Sequence, residues 1–152
     1  MMNQFAIESG AMNTHFTNPH GLHDEEHYTC ANDMMLFLKA AVNNELLLNI
    51  LQSEVYDCSL TRDDTMQELS FSTTSKYLNG QYSIENFNYV AGKTGYTGPA
   101  GRCFASCFEK DHEYYYCIVM KSEDYVTATS LLYYYASEPA QMKVVLEQQK
   151  GG

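Results

Sequence analysis

The tripeptide Lys93-Thr94-Gly95, set within Val90-Ala91-Gly92-Lys93-Thr94-Gly95-Tyr96-Thr97, places an ammonium and a hydroxyl beside a residue with no side chain. An ammonium attracts a carboxylate, a hydroxyl donates a hydrogen bond to it, and a glycine lets a ligand backbone approach closely. The apolar residues before the tripeptide and Gly98-Pro99-Ala100-Gly101 after it read as a short strand running out into a turn. Such a segment suits a carboxylate-bearing ligand lying along a strand edge. A surface lysine in an ordinary strand would look the same in isolation, so the neighbouring residues decide its meaning.

A rival constellation is His20-Gly21-Leu22-His23-Asp24-Glu25-Glu26-His27, three imidazoles and three carboxylates within eight residues. His23 and His27 would share a face if the segment were helical, a spacing that could hold zinc and serve a metal-dependent hydrolase. Gly21 and the turn formers around it favour a loop, and with it no metal and no cofactor. Tyr114 to Tyr116 and Tyr133 to Tyr135 could stack against sugars, but they read better as packing between a sheet and a helix. The five cysteines are Cys30, Cys58, Cys103, Cys107 and Cys117. Their odd number and the lack of CxxC spacing fit neither a disulfide framework nor a zinc site. Cys103 and Cys107 fall on one face of a strand with Cys117 on the next, which leaves a cross-strand disulfide open beside buried free thiols.

The elements that must position these groups follow from periodicity and turn signals. Met2 to Ser9 reads as one or two helical turns ended by Gly10, and Ala11 to Asp24 as a loop. A helix is expected from Thr29, with Met34, Met35, Leu38, Ala41 and Val42 as its apolar stripe. Asn43-Asn44 breaks it, and Glu45 to Gln52 makes a second, shorter helix. Val55 to Thr61 and Leu69 to Thr74 read as strands around the turn Arg62-Asp63-Asp64, and Asn79-Gly80 marks a tight turn. Asn88 to Thr94, Arg102 to Glu109 and Glu113 to Met120 read as three further strands. The last is apolar on both faces, as a covered central strand would be. Ser122 is the expected N-cap of a helix over Glu123 to Ala136, with Glu123-Asp124 in its first turn. Pro139 stops that helix, and the tail to Gly152 reads as a short frayed one.

At 152 residues the chain is expected to form one domain over 1–152 with a sizeable core. A net charge of −10 and the lack of any Lys/Arg cluster argue against nucleic acid as a partner. The longest apolar runs, such as Leu46 to Leu51, are far too short for a membrane span. Met1-Met2-Asn3-Gln4-Phe5 has neither the basic region nor the apolar run of a secretory signal.

With these pieces in order, the chain resembles the D-alanyl-D-alanine carboxypeptidases, low-molecular-weight penicillin-binding proteins of the β-lactamase/transpeptidase-like superfamily of serine peptidases. Four blocks carry the resemblance. Gly10-Ala11-Met12-Asn13-Thr14-His15-Phe16 with Asn18-Pro19-His20-Gly21-Leu22 is similar to the loop after the family's second motif. His27-Tyr28-Thr29-Cys30-Ala31-Asn32-Asp33-Met34 is similar to the helix start that follows. Gly92-Lys93-Thr94-Gly95-Tyr96-Thr97 with Ala100-Gly101 matches the third catalytic motif, Lys-Thr-Gly. Glu113 to Lys121 and Glu123 to Ser137 resemble the closing strand and C-terminal helix. The resemblance covers nearly all of this chain but only the later part of a family member.

It implies an α+β fold, an antiparallel sheet with packed helices forming part of the β-lactamase/transpeptidase-like fold. It implies that Lys93 supplies positive charge near the second-motif serine and the substrate carboxylate, and that Thr94 hydrogen-bonds that carboxylate. Gly95 would let the substrate backbone lie close, and the Tyr96 N–H would form half of an oxyanion hole. Thr73-Thr74-Ser75-Lys76-Tyr77-Leu78 aligns loosely with a segment lining the site, which makes Thr74 a candidate. The family's Ser-x-x-Lys and Ser-x-Asn do not occur in this chain. Tyr77-Leu78-Asn79 mimics a Tyr-x-Asn variant but follows the loop it should precede, so it is set aside. The implied ligands are a peptidoglycan stem peptide or a β-lactam in the complete enzyme, with an extracytoplasmic location. This chain alone is expected to be inactive, and a sheet lacking its N-terminal strands is expected to dimerise through an open edge. The alternatives are a non-catalytic binding or assembly module that keeps the fold, and the metal hydrolase above.

Overall fold

The computed structural model describes residues 1–63 and 65–137. In chain order its elements are α1 (Met2–Glu8), α2 (Ala31–Val42), α3 (Glu45–Leu51), β1 (Val55–Arg62), β2 (Thr65–Ser72), β3 (Asn88–Thr97), β4 (Gly101–Lys110), β5 (Glu113–Ser122) and α4 (Tyr125–Ser137). β3, β4 and β5 form one antiparallel sheet in that order, and β1 pairs with β2 in a separate antiparallel hairpin. The expected α+β class is therefore the observed one.

Alternation along β4 sets the layers. Phe104 and Phe108 pack with Tyr77, Phe87, Val119, Val126 and Tyr133 beneath α4. Cys107, one residue out of phase, packs with Ala91, Leu38 and Val42 beneath α2. Tyr133 locks the first layer: it is almost fully buried, and its hydroxyl lies 3.0 Å from the carbonyls of both Ser106 and Tyr115. The ring contacts of Phe108 with Tyr77, Tyr89 and Tyr133 span 4.6 to 5.3 Å, favourable aromatic geometry. The Tyr77 hydroxyl donates to the Val126 carbonyl at 2.9 Å, tying the connection after β2 to α4.

Several boundaries differ from the sequence reading, each for a local reason. α2 begins at Ala31 rather than Thr29, because the Thr29 hydroxyl is spent on that of Thr14, 2.8 Å away. Asn43 closes α2, and Asn44 caps α3 by accepting from the Leu47 N–H at 3.1 Å. β2 runs from Thr65 to Ser72, not Leu69 to Thr74. Pairing with β1 extends it through Thr65 to Glu68, a stretch in which Met66 is the one apolar residue. Arg62 belongs to β1; the turn contains Asp63 at φ +49°, and Asp64 lies outside the described residues. β3 continues three residues past Thr94 because its ladder with β4 reaches Thr97↔Gly101. β5 is an edge strand, and β4 is central. β5 reads as apolar on both faces because α2 and α4 cover it, one on each side. α4 is capped by Asp124, not Ser122: its carboxylate accepts from the Val126 N–H at 3.0 Å and the Thr127 hydroxyl at 2.6 Å, while Ser122 pairs with Arg102 in the sheet. The expected stop at Pro139 and the tail lie outside the described residues.

The register separates the cysteines. Cys117 lies opposite Ser106 and packs on the α4 side, whereas Cys107 packs on the α2 side. A bond between those two is thereby excluded, and all five thiols are free. Burial pushes the Cys107 thiol up to about 11 and the Cys117 thiol up to about 12. Tyr114 and Tyr134 are exposed, so the tyrosine runs are only partly core. Among the described residues no single helix is long and apolar enough to cross a membrane. α2 and α3 pass that test only together, with a 105° bend between them.

Candidate functional site

Lys93, Thr94 and Gly95 lie inside β3, one of the two edge strands of the sheet, rather than at its exit. An edge strand leaves alternate N–H and C=O groups facing away from its neighbour, so a ligand backbone can pair with it. Lys93 pairs with Ala105 and Thr94 with Phe104, which sends the two side chains to opposite faces. Lys93 is exposed, and its ammonium folds back onto the Thr94 carbonyl. Thr94 is half-buried, with its hydroxyl hydrogen-bonded to that of Thr74. The soft alignment of Thr74 thus coincides with direct contact: the residue just beyond β2 is delivered to the motif.

Two glycines three apart do different things. A Cβ on Gly92 would sit 2.8 Å from the Ala105 carbonyl oxygen and 2.9 Å from the Tyr89 hydroxyl, so this position must lack a side chain for β3 to lie on β4. A Cβ on Gly95 would meet nothing within 4 Å. Packing does not require Gly95; the space beside it is open.

Tyr96 is 71 % exposed, and the Arg102 guanidinium sits 5.9 Å from its ring centre. A shallow cleft of about 420 Å³ along the motif is lined by Thr74, Lys76, Thr94, Tyr96, Arg102 and Tyr125, among others. Arg102 and Lys76 were not singled out by sequence reasoning. The turn read over Gly98 to Gly101 pointed near Arg102, but the observed ladder, with Thr97 opposite Gly101, is what places it opposite Tyr96. In a chain of net charge −10, Lys76, Lys93 and Arg102 give this cleft a local positive sign. Lys76 also lowers the pKa of Asp124, after the larger effect of the Thr127 hydrogen bonds.

The loop before α2 is fastened by Asp33. Its carboxylate accepts from the Asn13 N–H and the Thr14 hydroxyl, both at 2.7 Å, and the side chain is almost fully buried. Burial alone would raise its pKa, but the hydrogen bonds from Thr14 and Asn13, with those of Cys30 and Asn32, outweigh it and hold the carboxyl below its ordinary value. The bridge His15↔Tyr28 closes the loop, so that Phe16, His27 and Thr29 reach the α2 side of Lys93 and Gly95.

That closure also disposes of the imidazoles. His20 to His27 is not helical, so His23 and His27 share no helix face. His20 Nδ1 accepts from the Leu22 N–H at 3.2 Å, and His27 Nδ1 accepts from the Thr17 N–H at 3.2 Å with its ring against Phe16. No group of three or more His, Cys, Asp or Glu suited to a metal occurs among the described residues.

An antiparallel sheet between α2 and α4, with Lys-Thr-Gly on its edge strand, defines the penicillin-binding and transpeptidase class of fold. Solved structures share it. A DD-transpeptidase from Streptomyces superposes with a TM-score of 0.77 at 20 % identity, covering 90 % of this chain and 52 % of that one. A D-alanyl-D-alanine carboxypeptidase from Mycobacterium tuberculosis gives 0.71 at 21 % identity, covering 90 % and 52 %. The sequence profile of the D-alanyl-D-alanine carboxypeptidase family matches residues 1–124, and the chain belongs to that family. It is 31 % identical over 109 residues to the D-alanyl-D-alanine carboxypeptidase DacF of Bacillus subtilis, covering 72 % of this chain and 26 % of that protein. The chain therefore spans about a quarter of that curated relative and about half of the solved neighbours.

Proposed function

We propose that this chain supplies the substrate-binding edge of a serine-type D-alanyl-D-alanine carboxypeptidase that trims peptidoglycan stem peptides at the cell envelope. The observation that carries this reading is the Lys-Thr-Gly motif on an open strand edge, with the Thr74 hydroxyl joined to that of Thr94. The peptide, or a β-lactam, lies antiparallel to β3 beside Gly95, where no side chain obstructs it. Thr94 donates to the terminal carboxylate, and Lys93, with Lys76 and Arg102 further along the cleft, makes the local potential positive. The Tyr96 N–H is one of the two donors that stabilise the oxyanion. Acylation additionally requires a nucleophile and its base. In the family these come from Ser-x-x-Lys and Ser-x-Asn, which this chain does not contain.

The reading is tested by intact-protein mass spectrometry with benzylpenicillin, on the chain alone and on the chain preceded by a segment bearing both motifs. The expected result is no adduct on the first and one adduct per chain on the second, lost in Lys93→Ala. An adduct on the chain alone would reveal a serine that this account does not use. Full acylation of the longer Lys93→Ala protein would remove Lys93 from the site.

The lack of a nucleophile motif favours a second reading, a binding module that keeps the fold without the reaction. It predicts ligand binding to the β3 edge and no acylation even in the longer protein. We also propose that copies of the chain associate through the edge of β5, an open row of backbone donors and acceptors. A monodisperse monomer by light scattering at high concentration would contradict this.

A further inference from the structure

Arg102 and Lys76 are exposed cations without a carboxylate of their own, in a chain whose 19 acidic residues outnumber its 9 basic ones. Among the described residues the one ion pair joins Arg62 to Asp63 at 3.8 Å, at the tip of the hairpin. Asp124, the acid whose pKa Lys76 helps to lower, is committed to accepting from the Val126 N–H and the Thr127 hydroxyl of α4. Both cations line the cleft of about 420 Å³ that also holds Thr74 and Thr94. They therefore stand beside the two joined hydroxyls with their charge unmatched.

Alternation along β3 decides which cation can read a group bound at the Thr94 hydroxyl. Thr94 lies opposite Phe104 and Tyr96 opposite Arg102, so Thr94, Tyr96 and Arg102 share the α4 face of the sheet. Arg102 and Thr94 are diagonal neighbours there, a separation that a long side chain spans. Lys93 lies opposite Ala105 on the α2 face, and its ammonium is engaged by the Thr94 carbonyl. The hydroxyl and the ammonium of the motif thus have different surroundings. The Arg102 guanidinium is steadied 5.9 Å from the Tyr96 ring centre, and its Nη1 donates to the Glu123 carbonyl at 3.4 Å. Lys76 is steadied 5.5 Å from the Tyr82 ring centre, while its backbone N–H donates to the Tyr125 hydroxyl at 3.4 Å. Side chains held in place before the ligand arrives lose less freedom on binding it.

We propose that Arg102 and Lys76, rather than Lys93, read the negative charge of a terminal carboxylate bound at Thr94, and so make the site select a free acid over a C-terminal amide. This rests on the reading of β3 as the peptide-binding edge and adds a specificity to it. In that antiparallel pose the terminal residue lies beside Gly95, the reacting carbonyl meets the Tyr96 N–H, and the acyl side runs on toward Thr97. A guanidinium fork matches both oxygens of a carboxylate. An amide offers one oxygen, and its N–H groups meet positive charge. Two exposed charge contacts together give a preference of about tenfold at low ionic strength, which salt reduces.

The test titrates the chain with N-acetyl-D-Ala-D-Ala and with its C-terminal amide, following backbone amide and arginine Nε–H resonances. The acid is expected to bind about tenfold tighter at low ionic strength, with a margin that shrinks as salt is added. It should shift the Arg102 Nε–H, which the amide leaves in place. Arg102→Met combined with Lys76→Met should bring the acid down to the affinity of the amide, with the affinity of the amide itself unchanged. Arg102→Lys alone should retain part of the margin, and Lys39→Met, at an exposed position on α2, all of it. Equal affinities for the two ligands, or a margin that survives the double replacement, would overturn the assignment and leave the reading of β3 intact. Absence of shifts at Lys93 to Tyr96 with either ligand would overturn both.

Discussion

β1–β2 and β3–β4 are both long antiparallel pairs with nearly continuous registers, yet they occupy opposite extremes of burial. On β4, Phe104, Ser106, Cys107 and Phe108 are almost fully buried, because α2 and α4 press on the two faces. Along β1 and β2, only Cys58 and Leu69 are even half-buried, and Val55, Tyr56, Leu60, Met66 and Phe71 face outward. The same secondary structure thus serves as a rigid platform in one place and as an exposed wall in the other. The Lys-Thr-Gly motif sits where they meet, on the outer strand of the platform and within reach of Thr74 at the end of the wall. Its precision comes from the platform and its access from the wall.

The largest effect that would break this contrast is truncation of a platform aromatic. Phe108→Ala removes a ring packed against Tyr77, Tyr89 and Tyr133 and is expected to cost about 3–5 kcal/mol of unfolding free energy. Phe71→Ala on the hairpin should cost at most about 0.5 kcal/mol. Urea titrations of both variants measure the difference, and similar losses would mean that the hairpin is packed after all.

A second comparison sharpens the first within one strand. Gly92→Ala forces a methyl against the Ala105 carbonyl and is expected to cost about 1–3 kcal/mol. Gly95→Ala has open space and should leave stability unchanged while weakening peptide binding. If Gly95→Ala proved the more destabilising of the two, the open edge would not be open.

Acid should act on the fastenings of the platform. The folded Asp33 carboxyl lies below its ordinary value, and so do Asp124 at the α4 cap and Glu109 beside Asn88. The unfolded chain therefore binds more protons than the folded one in this range. Their stabilisation is complete above the unfolded values of about 4 and is lost as pH falls through the depressed ones. Asp33→Asn should flatten the fall in stability between about pH 5 and 3. An unchanged slope would show that the buried carboxylate does not fasten the loop.

The smallest effect is chemical. At pH 8 a thiol reagent should modify Cys30, Cys58 and Cys103, which are half-buried. Cys107 and Cys117 should resist until the chain unfolds, because burial keeps both thiols protonated.

Much of the platform was legible in the sequence. The stripe Leu38 and Val42, the turn Gly98 to Gly101 and the three apolar strands have periodicities that short-range chemistry explains. The β3 motif was legible because it follows the Asn18 to Leu22 loop in order and runs into a Gly/Pro turn; the tripeptide alone would recur by chance. What the sequence left open were features that only pairing partners decide. β2 extends through Thr65 to Glu68 because β1 lies beside it, β5 is an edge although its composition reads as central, and Asp124 displaces Ser122 as a cap because β5 uses Ser122. Arg102 and Lys76 were missed because their position in the cleft depends on the β3–β4 register and on where Thr74 is delivered.

The central claim is that a D-Ala-D-Ala peptide lies along the open edge of β3. The direct measurement is a backbone amide titration of the chain with N-acetyl-D-Ala-D-Ala. The account predicts shifts at Thr74 and Lys93 to Tyr96, with the β5 edge silent and the peptide recovered uncleaved. Shifts confined to the β5 edge, or none at ligand saturation of a family carboxypeptidase run in parallel, would contradict it.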